Sequence, residues 1–438
     1  MNRLSCRMAM AALFSILVFQ YSIAGIDFDH YFDGRTLRID YTFAGDSTRQ
    51  EIFVSDYLSL PQWCGRRVNL DTLLLEGTGD ITMRSLDDGK KIYCNSFSTH
   101  FQDWTGTQQA LTLKCAYEHV VLLPMPRNKV EIEIRLFDFK QRPTTVLRHQ
   151  FDPSDIMIRK VGNVQCPMPN AQYLLHSGTP QECIDLAIVA EGYTKDELPL
   201  FYQDAQRMVD ELFKYEPFKS NKHRFNVIAV GAESAESGIS EPAKGIWKQT
   251  ACNTFFDFLY MKRLIGVVNL RRTNDLLANV PYEHIIVLAN SSEYGGCGVY
   301  NSYDITPAHH AGTLPVFVHE FGHSFGGLGD EYFYDEMYTQ YYYPDVEPWH
   351  ENLTTLCHFE RKWADMLPEG AVIPTPPSAN QDPNDYTTVG VFEGGGNQSK
   401  GVYRPAFNCR MRTNSVRDYC PVCRRALQHV IDYNLQEM

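Results

Sequence analysis

The apolar residues of this 438-residue chain change their spacing near the proline-containing stretch 166–169. Before that stretch, apolar and polar residues alternate with a period of two, which predicts half-buried β-strands. The clearest alternating segments are 36–41, 50–54, 80–84 and 129–136. They recur between turn clusters with few helical patterns, which is typical of an antiparallel sandwich. We therefore predict an N-terminal β-sandwich domain over residues 25–162.

After that stretch, strand patterns alternate with segments of helix length, which predicts an α/β domain over residues 163–438. Mostly apolar runs predict buried strands at 184–190, 225–230 and 284–289. Helical patterns lie at 195–214, where Thr194 is the expected N-cap, at 253–270 and at 273–279. The polar, glycine-bounded segment 295–305 predicts an exposed edge strand. The whole chain is thus predicted to be α+β.

The N-terminus has the pattern of an export signal. Arg3 and Arg7 precede an apolar run, 8–24, that closes with the small-x-small sequence Ser22-Ile23-Ala24. We predict that residues 1–24 are a signal peptide, with an uncleaved membrane anchor as the alternative. No other segment has the roughly 18 consecutive apolar residues of a transmembrane helix. The mature chain is therefore expected to be secreted, periplasmic or on the cell surface, without a transmembrane segment.

The net charge limits the binding partners that are expected, and the cysteines bear on disulfide bonds. The formal net charge of -13 repels phosphate backbones, so no nucleic-acid partner is expected. Removing Cys6 with the signal leaves eleven of twelve cysteines, and export predicts some disulfides. Cys420 and Cys423 have the spacing of a redox dithiol or half a zinc knuckle. Because no second CxxC follows, we predict a structural role, in a C-terminal disulfide cluster with Cys357 and Cys409.

The strongest chemical motif is His319-Glu320-Phe321-Gly322-His323. Histidines four residues apart on a helix share one face and can bind one metal ion. Two imidazoles, a carboxylate and a water suit zinc, Zn2+. Glu320 is placed to act as general base on that water. Apolar residues 314–318 and the following glycines favour a buried helix with a defined end, whereas the alternative is a pair of surface histidines.

A third metal ligand is expected after this helix. In the metzincin pattern the third ligand lies three residues beyond a turn glycine. If Gly326 is that glycine, the ligand position falls on Gly329, which has no side chain. If Gly327 is the turn glycine, the position falls on Asp330. We predict Asp330 as the ligand, with Glu331 as the alternative ligand or as a hydrogen-bond partner of the ligands.

These motifs resemble the bacterial IgA-peptidase-like zinc metallopeptidases, a family of the metzincin-like clan. The resemblance rests on residues 319–332, 184–193, 294–298, 401–405, 409–412 and 420–423. It spans about residue 183 to the C-terminus, and the β domain looks like the N-terminal module of the same family. It implies an exported zinc endopeptidase with a metzincin-like catalytic domain, an irregular C-terminal subdomain and a cleft between the two. It also implies that Met411 belongs to the turn beneath the zinc.

Two functions follow from these patterns. The first is a zinc metalloendopeptidase that hydrolyses protein or peptide substrates. The second is a catalytically weak or inactive surface binding protein, a glycan or protein adhesin on a peptidase scaffold. Glu320 favours the enzyme, because a structural zinc site has no use for a general base. Cleavage of immunoglobulin is not implied, since specificity depends on cleft loops.

Residue type and position identify two further sets of candidate residues. An oxyanion needs a hydrogen-bond donor, and the candidates are the tyrosines Tyr332, Tyr334 and Tyr403. His309 and His310 lie on the polar stretch before the helix, where we expect surface or cleft-rim positions.

Overall fold

The computed structural model describes residues 25–162, 170–335, 340–376 and 382–436. The predicted signal peptide, Cys6 and Cys166 lie outside these residues. The predicted domain boundary after residue 162 adjoins another stretch outside them.

The first part of the chain forms two four-stranded sheets. Its strands are β1 (Phe32–Gly45), β2 (Gln50–Leu60), β3 (Gly79–Ser85), β4 (Lys91–Phe97), β5 (Cys115–Pro126), β6 (Val130–Phe137), β7 (Pro143–Phe151) and β8 (Arg159–Lys160). The sheet orders are β5-β1-β2-β8 and β4-β3-β6-β7, antiparallel except between β2 and β8. Alternate apolar residues of both sheets, such as Ile39 and Ile134, share one core. All four predicted alternating segments are strands.

The second part is built on a six-stranded sheet. Its strands are β9 (Ala171–Leu175), β10 (Ile184–Glu191), β11 (Phe225–Val230), β14 (His284–Ala289), β15 (Cys297–Val299) and β16 (Tyr303–Pro307). In the order β15-β16-β14-β10-β11-β9, the four central strands are parallel and the two edge strands are antiparallel. The three predicted apolar strands lie at its centre, as the buried parallel arrangement requires.

Smaller sheets and the helices complete the fold. A two-stranded sheet joins β12 (Thr254–Phe255) to β13 (Gly266–Val267), and a three-stranded sheet of order β17-β19-β18 contains Phe333–Tyr334, Asn397–Ala406 and Val389–Gly395. The helices are α1 (Phe28–Tyr31), α2 (His100–Thr105), α3 (Leu198–Leu212), α4 (Leu270–Leu276), α5 (Thr313–Ser324) and α6 (Pro421–Leu435). The described residues are therefore mixed α+β, as predicted.

Alternate residues of β10 face two different cores. Leu186 packs with Phe321 of α5 and Leu427 of α6 on one face of the sheet. On the other face, Val189 belongs to a core that also contains Leu58 from β2 of the sandwich. The sandwich therefore packs against the large sheet on the face opposite α5 and α6.

Polar contacts fix the sandwich beside the edge of this sheet. The buried Arg38 pairs with Asp40 and reaches Asp275 at 2.6 Å. The Ser98 amide donates to the Tyr300 carbonyl at 2.9 Å, in the turn between β15 and β16. Because the contact with Tyr300 lies at the end of β15, the sandwich borders any site along that strand.

One predicted helix is wrong. Residues 253–270 form short strands and turns, with left-handed backbone at several positions, among them Asn253 and Asp257. At the start of this segment the buried Glu191 carboxylate accepts the amides of Cys252 at 2.7 Å and Thr254 at 2.9 Å. Left-handed residues interrupt a right-handed helix, and the backbone of the segment pairs instead with distant residues, as in the bridge between Leu264 and Gly296.

Other elements differ in detail. The helix predicted at 195–214 begins with a 3-10 turn and continues as α3, and Thr194 with Glu197 forms the capping box. The helix predicted at 273–279 is α4, which begins three residues earlier. The segment 295–305 forms the edge strand β15 and part of the interior strand β16, and both are mostly buried.

The disulfide prediction is wrong for the described residues, because all ten cysteines there are free. Cys409, Cys420 and Cys423 do converge, but Cys357 is not among the residues that meet them. Within the described ranges, no helix is long and apolar enough to cross a membrane.

Candidate active site

Helix α5 presents the motif histidines on its partly exposed face. Phe317 and Phe321 lie one turn apart on the opposite face and are buried in the core. His319 and His323 are consequently held one above the other, with side chains 12% and 16% exposed.

Three donor atoms converge at this face. The Nε2 atoms of His319 and His323 lie 3.0 Å apart. Oδ1 of Asp330 lies 3.2 Å from the first and 3.1 Å from the second. The structure therefore brings together the three residues proposed from the sequence as metal ligands.

Backbone carbonyls orient both rings. Nδ1 of His319 lies 3.0 Å from the Arg410 carbonyl oxygen, and Nδ1 of His323 lies 2.6 Å from that of Leu328. A ring nitrogen beside a carbonyl carries the proton, so each Nε2 is turned toward Asp330. Zinc binds imidazole nitrogens and carboxylate oxygens, and these three atoms converge on one point. The set therefore fits a zinc ion.

Charge at the site also favours a cation. Burial opposes protonation of His323, but the Asp330 carboxylate raises the pKa of that imidazole to about 9. The same histidines hold the pKa of Asp330 below its usual range, against the effect of burial. A carboxylate beside two imidazoles thus favours positive charge at the point where a divalent cation would lie.

A left-handed turn returns the chain to the histidines. Gly327, with φ of 58°, adopts the left-handed conformation after α5. Its amide donates to the His323 carbonyl at 2.9 Å, and the Leu328 amide donates to Gly322 at 3.1 Å. The turn glycine is thus Gly327, the alternative that places Asp330 in the ligand position.

Glu331 points away from the histidines. Its Oε1 accepts from Asn352 at 3.0 Å and lies 3.1 Å from Sγ of Cys423, in a fully buried environment. Of the two adjacent acids, only Asp330 reaches the histidine pair.

Met411 lies under the helix. It is fully buried, and a Cβ built on Gly322 would lie 2.7 Å from its Sδ. Its carbonyl accepts the Glu331 amide at 2.8 Å, and the carbonyl of the preceding Arg410 faces His319. The turn that carries Met411 therefore supports both α5 and the segment that follows it.

Glu320 faces the edge strand β15. A Cβ on Gly296, the residue before this strand, would lie 2.6 Å from Oε1 of Glu320, so the carboxylate fits there only beside glycine. Burial raises the pKa of Glu320, although His319 and His323 oppose this. The result is a carboxylate of increased basicity next to the converged donors.

The site lies in a cleft of about 760 Å³. The sandwich supplies part of its wall through His100, Asp103 and Phe139, and the segment after α5 supplies Tyr342 and His350. The N-terminal domain thus lines the same cavity as the histidine pair.

The predicted tyrosines separate into two groups. Tyr332 and Tyr334 line the cleft. Tyr403 is absent from the lining and pairs its backbone with Thr354. Among the cleft residues that the sequence did not indicate are Arg263, which donates to the Tyr334 hydroxyl at 2.5 Å, and His350. Arg263 was missed because it lies in the segment wrongly predicted as helix; His350 carried no sequence signal.

His309 and His310, the two histidines before α5, make contacts outside the donor set. His309 lies 2.7 Å from Asp204 through Nε2. His310 accepts the Gly312 amide at 2.9 Å and packs edge-on against Tyr294, a cleft residue. Neither belongs to the converged donor set, in agreement with the surface or rim positions expected for them.

Comparison with protein families gives two matches. Residues 173–386 and 380–431 match the model described as IgA Peptidase M64, and residues 27–148 match the Peptidase M64 N-terminus. The first match covers more than half of the chain and includes His319, Glu320, His323, Asp330 and Met411. A comparison with curated proteins found no significant match.

Proposed function

Since this chain belongs to the IgA peptidase M64 family of metallopeptidases, we propose that it is an exported zinc-dependent endopeptidase acting on extracellular proteins. The observation that carries this proposal is the convergence of two Nε2 atoms and one carboxylate oxygen beside Glu320 in an open cleft. Two imidazoles and a carboxylate leave the open coordination position that a catalytic zinc requires.

Zinc held by His319, His323 and Asp330 would polarise the peptide carbonyl and lower the pKa of a water molecule. Glu320 takes a proton from the attacking water and delivers it to the leaving amine nitrogen. Its raised pKa suits both steps, because a more basic carboxylate accepts the proton more readily and still releases it to an amine.

Arg263 is the proposed electrostatic partner of the reacting carbonyl. Its guanidinium lies 5.5 Å from the centre of the Tyr332 ring and donates to Tyr334. Both tyrosines line the cleft, so this cation is held facing it. A fixed donor at this position stabilises the negative charge that develops on the carbonyl oxygen.

The cleft walls indicate the substrate class. An aromatic lining that includes Phe139, Tyr342 and Trp349 suits the side chains of an extended polypeptide. We propose a metzincin-like arrangement, in which the large sheet and α5 form one side and the irregular C-terminal part forms the other. Because the sandwich adds a wall, its role includes substrate selection. No residue of the cleft identifies immunoglobulin as the substrate.

Export is proposed from residues 1–24. Protein recovered from the medium or periplasm should begin at Gly25, which N-terminal sequencing would establish. A chain that retains Met1 in the membrane fraction would overturn this part of the proposal.

The decisive experiment compares wild type with Glu320→Gln. This change keeps the size of the side chain and removes its basicity. Hydrolysis of a denatured protein should fall by about 100-fold to 10,000-fold, with the zinc content unchanged. Glu293→Gln, at an exposed glutamate that pairs with Lys244, is the control and should retain activity. If zinc-loaded wild type cleaves no denatured protein, the binding-protein alternative replaces the enzyme.

A further inference from the structure

Four buried residues outside the proposed catalytic site form a second set of metal-ligand types. They are Glu331, Cys409, Cys420 and Cys423, here called the Cys3Glu cluster. One ligand atom from each lies within 4.8 Å of the others, and all four residues are fully buried. They come from three segments: the chain after α5, the turn that carries Met411, and the start of α6.

The distances within the cluster match those of a tetrahedral metal site. Sγ of Cys409 lies 3.7 Å from Sγ of Cys423. Two thiolates on a tetrahedral zinc, with Zn–S of about 2.3 Å, lie about 3.8 Å apart. A disulfide requires about 2.05 Å and joins only two of the three sulfurs, so it would leave one buried thiol beside the carboxylate.

The backbone around two of the three cysteines favours a thiolate. The Cys420 amide donates to Sγ of Cys409 at 3.3 Å. Cys420 is also the N-cap of the fifteen-residue helix α6, where the helix dipole favours negative charge. Cys409 and Cys420 therefore have partners suited to a thiolate, whereas Sγ of Cys423 donates to Glu331.

One atom of the cluster has no partner. The Glu331 side chain is fully buried, and its Oε2 makes no hydrogen bond. A buried carboxylate oxygen without a partner is costly, and a bound cation would satisfy it.

Charge balance is consistent with a divalent ion. Three thiolates and one carboxylate carry four negative charges, and the guanidinium groups of Arg404 and Arg412 interact with Glu331. A dication together with these two arginines neutralises the cluster, whereas without metal the cysteines would have to stay protonated as thiols.

We propose that the Cys3Glu cluster binds a second, structural zinc ion. The site joins the segment of Asp330 to the turn of Met411 and to α6. It would therefore hold in place the chain that supplies the third ligand of the proposed catalytic site. All four ligands are protein side chains, as in closed structural zinc sites.

Metal analysis of the mature protein tests the inference. Wild type should contain about two zinc ions per chain, and both His319→Ala and Cys423→Ser should lose one. Cys357→Ser, at a cysteine outside the cluster, is the matched control and should keep both. A wild-type protein with one zinc that is lost in His319→Ala and kept in Cys423→Ser would overturn the inference. One zinc with the opposite pattern would support it and contradict the catalytic assignment instead.

Cobalt substitution keeps the test valid if Cys423→Ser does not fold. His319→Ala loaded with Co2+ should show an intense near-ultraviolet thiolate-to-cobalt band, because among the described residues the Cys3Glu cluster is the only group of three or more candidate ligands that contains sulfur. A spectrum without that band would overturn the inference. So would an intact mass about 2 Da below that of the reduced chain, with the disulfide mapped to this cluster.

Discussion

Gly298 on the edge strand β15 approaches the Glu320 carbonyl so closely that a Cβ on Gly298 would lie 2.2 Å from its oxygen. The same Cβ would lie 2.7 Å from Cβ of His323. The contact is with helix backbone, which cannot rotate away as a flexible side chain can. The separation between β15 and α5, and with it the position of the motif residues, therefore depends on a glycine at this position.

Gly298→Ala should destabilise the protein and reduce activity. The added methyl group forces β15 and α5 apart, at a cost of about 1 to 3 kcal/mol. Thermal unfolding monitored by circular dichroism, together with peptide hydrolysis, measures both effects. Gly25→Ala is the control, since a Cβ there would meet no atom within 4 Å. An unchanged unfolding midpoint in Gly298→Ala would contradict this account of the contact.

Asp330→Ala should weaken the proposed catalytic zinc site. The change removes the oxygen that lies 3.1 Å and 3.2 Å from the two histidine nitrogens. The measurement is the zinc concentration that restores half of the activity to metal-free enzyme. Loss of a ligand's hydrogen-bond partner weakens metal binding roughly 10-fold to 100-fold, so loss of the ligand itself should raise this concentration by more. Asp335→Ala, an exposed acid on the same segment, should leave that concentration unchanged. Equal behaviour of the two variants would remove Asp330 from the ligand set.

Arg263→Ala should lower kcat more than it raises KM. A donor that acts on the charge developing in the transition state contributes about 100-fold to 1,000-fold to kcat. Steady-state kinetics on a defined peptide separates this effect from ground-state binding. Arg272→Ala, at an exposed arginine of α4, is the control. A pure KM effect would assign Arg263 to substrate binding alone.

Buried His119 should make stability depend on pH. It is packed against Phe43 and Phe97, its Nε2 has no hydrogen-bond partner, and burial lowers its pKa to about 3. The unfolded chain binds a proton near pH 6.5 and the folded chain does not, so stability is lost as pH falls below 6.5. At pH 5 the loss from this residue is about 2 kcal/mol.

His119→Phe tests this linkage, because a phenyl ring keeps the aromatic packing and cannot be protonated. Denaturant unfolding at pH 7.5 and pH 5 should show a smaller loss of stability for the variant than for wild type. The same dependence in both proteins would mean that other groups dominate.

The sequence by itself determined the parts of this protein that depend on local spacing. Period-two alternation is sufficient for the sandwich strands, because one face of each strand must be apolar. Histidines four residues apart must share a face of any helix that contains them. The proximity of His319 and His323 therefore follows from their spacing alone. The motifs also indicated the family, which the match to the IgA Peptidase M64 model confirms.

Only the tertiary structure decided which distant residues meet that pair. Asp330 and Glu331 are adjacent and chemically alike, and their separation into two sites depends on the turn at Gly327 and on contacts with Asn352 and Cys423. The helical pattern at 253–270 failed for a similar reason, since the backbone of this segment pairs with distant residues such as Ser240 and Gly296. Likewise, no local sequence pattern indicates that the sandwich forms part of the cleft wall. Such features arise from packing between segments distant in the chain, and spacing along the chain carries no record of them.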